Sequence, residues 1–90
     1  MTIRHKGLRR WIQNGDSSRL PQNHLPRIAA ILRALRSAIS PHDLNVPGWR
    51  LHPLSGQREG FWAVQVSAHW RIVFHFVASE ARDVDLVDYH

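Results

Sequence analysis

Residues 61–76, FWAVQVSAHWRIVFHF, restrict the folding options of this chain more than any other stretch. Apolar side chains fall at every second position twice over, first Trp62, Val64 and Val66, then Trp70, Ile72, Phe74 and Phe76. A period of two with β-branched and aromatic enrichment belongs to half-buried strands rather than to a helix. Ser67, Ala68 and His69 between the runs are few enough for a hairpin connection. Alternation then assigns Trp62, Val64, Trp70, Ile72 and Phe74 to the core and Arg71, Val73 and His75 to the opposite face. A guanidinium in the middle of a sheet face, with a histidine further along the same strand, marks the place where a site is expected.

The rest of the chain supplies what covers this hairpin. Leu8, Trp11 and Ile12 recur at helical spacing within 6–14, with Lys6, Arg9, Arg10 and Gln13 on the other side, and Asn14 followed by Gly15 is a natural stop. A second helix is expected over 23–37, with Pro26 tolerated in its first turn. Its stripe of Leu25, Ile28, Leu32, Leu35 and Ile39 is too short for a coiled coil and is expected to pack on the sheet, while Arg27, Arg33 and Arg36 face water. Ser40 and Pro41 open a single helical turn. Residues 49–54 read as a strand in which Pro53 marks the end or an edge position, and 55–60 as a polar loop bounded by glycine. A turn at 78–80 leads to a last strand in which Val84 and Leu86 face the core, and Thr2, Ile3 and Arg4 have room for a short edge strand. Helices first and a strand meander afterwards make an α+β fold, with two N-terminal helices packed on an antiparallel sheet of three to five strands. Ninety residues suffice for one core and not for two, so 1–90 is read as a single domain.

Charge narrows the partners. Eleven of the twelve basic residues are arginine, and the net charge of +5 is unevenly placed. Residues 1–79 hold 11 basic against 3 acidic side chains, a net of +8, whereas 80–90 hold 1 against 4, a net of −3. Arginine grips phosphate with a planar fork and stacks on bases, which favours a nucleic acid over a merely solubilising surface. The absence of cysteine removes disulfides and thiolate metal sites. No run reaches the length of a membrane span and the first twenty residues hold no apolar run, so a cytoplasmic location without a membrane partner is expected.

Phosphate loops, dinucleotide glycine patterns and HExxH are absent, and no histidines or carboxylates stand at ligand spacing, so neither a metal nor another cofactor is expected. What remains suits RNA cleavage. Attack of a 2′-hydroxyl on the adjacent phosphate needs a base, an acid for the leaving oxygen, and fixed positive charge. His52, Arg71, His90 and His75 stand on strands that could adjoin, and Tyr89 could stack a base. Each also has a plainer role open to it: His52 as a strand residue, Arg71 as partner of Asp83, Asp85 or Asp88, Tyr89 as core edge.

The words His5-Lys6-Gly7-Leu8, Leu51-His52-Pro53-Leu54-Ser55-Gly56, Gly60-Phe61-Trp62, His69-Trp70-Arg71-Ile72 and Val87-Asp88-Tyr89-His90, in this order, resemble the HigB-type toxins of the RelE superfamily over nearly the whole chain. That resemblance implies a compact fold akin to small microbial ribonucleases and a ribosome-dependent mRNA endonuclease. It also implies neutralisation by a helix-turn-helix, HigA-like antitoxin, with DNA met only through the antitoxin complex. On it, His52, Arg71, Asp88, Tyr89 and His90 take the catalytic positions. Ser55 stands where many members carry lysine, so Arg50 or Arg58 would have to supply that charge, with His75 a further RNA contact. The competing readings are a non-catalytic RNA- or partner-binding module using the same basic face, and a structural subunit that binds an antitoxin segment.

Overall fold

The computed structural model describes residues 1–89. Two helices, α1 (Lys6–Asn14) and α2 (Leu25–Ser37), precede four strands, β1 (His52–Pro53), β2 (Trp62–Gln65), β3 (Trp70–Val77) and β4 (Glu80–Asp88). The strands pair antiparallel in the order β1-β2-β3-β4. The expected edge strand exists as one parallel bridge of Ile3 to Val84, with Arg4 N–H donating to the Val84 carbonyl at 2.7 Å. No helix among the described residues is long and apolar enough to cross a membrane.

One apolar cluster joins the helices to the sheet. Leu8 from α1, Ile28, Ile31, Leu32 and Leu35 from α2, and Leu44 meet Val64, Ile72, Phe74, Val84 and Leu86. The stripe on α2 therefore runs through Ile31, and not through Ile39, which lies past the helix end and is 68% exposed. The same helix starts later than its pattern suggests, because Gln22–His24 form a separate 3₁₀ turn and Pro26 then sits at the true first turn. Ser40 and Asp43 close a reciprocal capping box over the 3₁₀ turn Pro41–Leu44, which buries Leu44. Arg27 is not left to water: it donates to the carbonyls of Gln65 at 3.1 Å and Gly48 at 3.4 Å, tying α2 to the sheet.

The words His5, Gly7 and Leu8 have a physical explanation at the start of α1. His5 is the N-cap, its Nδ1 accepting from the Leu8 N–H at 3.2 Å. Gly7 is buried where a Cβ would come within 2.9 Å of the His5 ring and 3.1 Å of Arg19 Cβ, so no larger residue fits. Burial lowers the His5 pKa, and nearby Asp85 partly offsets this.

Three expectations about the sheet need correcting. Trp62 and Trp70 are only partly buried and pack against the core from its edge, while Phe74, Ile72 and Val64 are fully buried. Val73 and Ala63, on the supposedly open face, are also buried, with Gln57, Arg58 and Phe61 of the loop before β2 gathered beside Val73. The strand expected over 49–54 shrinks to His52–Pro53, since Arg50 adopts a positive φ of 52° that breaks extended pairing.

A second irregularity shapes the same face. Val73 pairs with Asp85 but His75 with Arg82, so Asp83 and Val84 together face the single residue Phe74. This is a β-bulge, with Asp83 at φ 54°. It keeps Ala81, Val84 and Leu86 all on the core face and turns Asp83 towards His75.

Candidate active site

The face of the sheet away from the helices carries His52, Ala63, Val73 and Asp85 in one cross-strand row, followed by Gln65, Arg71 and Val87 in the next but one. Beside it lies an open groove of about 450 Å³ lined by His52, Ser55, Gln57, Arg58 and Tyr89, with Pro53 and Leu54. Residues far apart in the chain thus meet: the end of β1, the 3₁₀ turn Gly56–Arg58, and the residue after β4.

The geometry at His52 assigns its tautomer. Nδ1 is 2.8 Å from the carbonyl oxygen of Arg50. A carbonyl oxygen only accepts, so Nδ1 carries the proton and a neutral ring keeps its lone pair on Nε2. The positive φ of Arg50 that broke the strand is also what brings this carbonyl round to the ring. An imidazole oriented in this way is equipped to take a proton at Nε2.

Arg71 and Tyr89 form a second unit. The Arg71 guanidinium carbon lies 4.8 Å from the centroid of the Tyr89 ring, a cation–π contact. Its NH1 group donates to the Ser67 carbonyl at 3.1 Å, while Nε is buried without a partner. The Tyr89 N–H donates to the His69 carbonyl, which pins the residue to the loop between β2 and β3. With one side held over Arg71, the ring stays 44% exposed, and a base could stack on it. The arginine is thus committed to Tyr89 and Ser67; Asp83, one of its expected partners, is held by His75.

The remaining candidates are less central. Arg50 is exposed, and its backbone rather than its side chain reaches His52. Asp88 pairs with Trp70 and so alternates to the face opposite Arg71. His75 donates from Nε2–H to Asp83 at 2.8 Å and stacks on Phe61 with ring centroids 4.4 Å apart, beyond the His52 groove. His90, expected as a proton-transfer group, lies outside the described residues. Gln57 lines the groove without having been singled out from the sequence; its only signal there was its place between Ser55 and Arg58 in the polar loop. Among the described residues no three His, Asp or Glu side chains come together as ligands for a metal ion.

Comparison with known proteins covers the full length of the chain. The family described as RelE-like toxin of type II toxin-antitoxin system HigB matches residues 1–90. The protein named Endoribonuclease HigB from Proteus vulgaris is 38% identical over 89 residues, covering 99% of this chain and 97% of that one. Among solved structures, a YoeB/ParE toxin from Agrobacterium tumefaciens superposes with a TM-score of 0.59 at 22% identity, covering 100% of this chain and 99% of the other. YafQ from E. coli strain BL21(DE3) superposes with a TM-score of 0.55 at 14% identity, covering 96% and 90%. At such identities the structural likenesses speak for the fold, two helices on an antiparallel sheet.

Proposed function

The chain belongs to the HigB-like, RelE-type toxins of type II toxin–antitoxin systems, and from that premise we propose that it is an endoribonuclease that cuts mRNA on the ribosome and so arrests translation. The observation that carries the reading is the groove where His52, with Nε2 left as acceptor, faces Arg58 and a Tyr89 ring held over Arg71. In the proposed reaction His52 Nε2 takes the proton of the 2′-hydroxyl as its oxygen attacks the adjacent phosphorus. The bond from phosphorus to the 5′-oxygen breaks, and that oxygen receives a proton from His90. The products are a 2′,3′-cyclic phosphate and a 5′-hydroxyl. Arg58, with Arg71 behind Tyr89, supplies positive charge for the phosphorane. Tyr89 stacks one of the bases next to the cut. Asp88, on the other face, acts on the terminus rather than on the substrate. A protein antitoxin neutralises the activity, as in any type II system.

Induction of this chain alone, followed by mapping of RNA ends, tests the proposal. Growth arrest with new mRNA fragments ending in 2′,3′-cyclic phosphate is the expected result. Intact mRNA in arrested cells, or fragments ending in 3′-hydroxyl groups, would overturn it.

A further inference from the structure

The His52 groove has a neighbour. Across the Gly56–Arg58 turn, a cavity of about 230 Å³ opens over Val73 and is lined by Arg4, Arg58, Phe61, Asp83 and Asp85. Gln57 and Arg58 border both spaces, so the two form one continuous surface. From His52 to Asp85 the cross-strand row spans three strand spacings, about 14 Å at ~4.8 Å each, which sets the cavity apart from the reacting phosphate.

Among the described residues neither Arg4 nor Arg58 forms an ion pair within 4 Å, and Asp85, which acts electrostatically on His5, accepts no hydrogen bond. Asp83 is different: the bulge aims one carboxylate oxygen at His75 Nε2, leaving the other available. His75 in turn stacks on Phe61 and fixes the aromatic wall. Two carboxylates repel a phosphate, and two arginines would not draw in an apolar group. A ligand that satisfies both has amino hydrogens at one end and negative charge at the other. A nucleotide has that polarity, with the base edge donating to Asp85 and Asp83 and the phosphate lying against Arg4.

We infer that this cavity is a base-reading subsite for a nucleotide flanking the cleaved bond, selective for bases that carry an exocyclic amino group. The inference rests on the RNA-cleaving function proposed above. Adenine, cytosine and guanine each offer an exocyclic amino group to a carboxylate, whereas uracil offers only its N3–H, flanked by two carbonyl oxygens that repel the carboxylates, and so binds more weakly. Phe61 packs against the base, and Asp85 is the specificity-determining residue.

Titration of the full chain with the four nucleoside 5′-monophosphates, followed by NMR at Phe61, Val73 and His75, tests the subsite directly. AMP, CMP and GMP are expected to shift these resonances, with UMP weaker by roughly tenfold, the low end of what one good base contact supplies. Asp85→Asn, whose amide can donate to a uracil carbonyl, should erase that difference, and Arg4→Gln should weaken all four nucleotides alike. Equal binding of UMP, or shifts confined to the His52 groove, would overturn the inference. Mapping of cleavage sites in translated mRNA separates the two readings. Cleavage with no bias against uracil at any flanking position sinks the subsite alone. Selective nucleotide binding by a chain that never cleaves RNA supports the subsite and sinks the proposed reaction.

Discussion

Truncation of Phe74 should destabilise this protein more than truncation of the larger Trp70. Phe74 is fully buried at the centre of β3 and meets Phe76 edge-on at 6.0 Å, whereas Trp70 is partly buried at the strand's first position. Emptying a closed aromatic site removes the transfer energy and leaves a cavity, together about 3–5 kcal/mol. Trp70 keeps part of its ring in water in the folded state, and its side chain can be removed without enclosing a void. Its loss is therefore about half as large, ~2 kcal/mol at ~25 cal/mol per Å². Urea unfolding of Phe74→Ala and Trp70→Ala, compared at constant m, measures the difference. Because 3–5 kcal/mol is a large share of a typical total of ~5–15 kcal/mol, Phe74→Leu provides a milder check, with an expected loss of ~1–1.5 kcal/mol. A Trp70→Ala loss equal to or above that of Phe74→Ala would refute the assignment of the core.

The β3–β4 turn places Ala78 and Ser79 at φ 52° and 61°, a conformation suited to Asn-Gly. Replacing the pair by Asn-Gly should add about 1–2 kcal/mol, read as a rise in Tm, with cleavage unchanged. His5 caps α1 only while Nδ1 is unprotonated, and its folded pKa lies below the ordinary 6.5. The unfolded chain therefore binds the proton more readily, so this contribution is complete above pH 6.5 and is lost as pH falls towards the folded value. His5→Asn, which retains an acceptor, should lose less stability between neutral pH and pH ~5.5 than the parent in paired denaturation curves. Binding to RNA or ribosomes should weaken steeply with salt, given the net +8 of residues 1–79, and a salt-independent affinity would contradict the phosphate-contact reading.

Much of the fold was legible because it is written in local periodicity. The alternation through 61–76 yields the β2–β3 hairpin, Val84 and Leu86 mark the core face of β4, and Ser40 with Pro41 announces the 3₁₀ turn. What escaped is long-range. Val73 is buried with Gln57, Arg58 and Phe61 gathered beside it, and the partial exposure of Trp62 and Trp70 depends on where the helices stop covering the sheet. Arg27 looks like a solvent residue on a helical wheel, yet it reaches two carbonyls that only the tertiary fold brings near. In the site, residue types and words pointed to His52, Arg71 and Tyr89. Their relation did not follow, because it rests on a positive φ at Arg50 and a stacking contact across strands. The position of Asp85 on the Val73 face could have been read from Val84 and Leu86, since alternation puts it opposite the core.

The central claim is that His52 acts as the proton acceptor in RNA cleavage and is not merely part of a binding surface. Single-turnover cleavage of mRNA on translating ribosomes, measured for the parent chain and for His52→Ala beside ribosome affinity, tests it most directly. With His52 as the base, cleavage falls by roughly 10²–10⁴-fold while affinity and fold persist. Cleavage that survives the substitution, or that is lost only in proportion to lost binding, would contradict it.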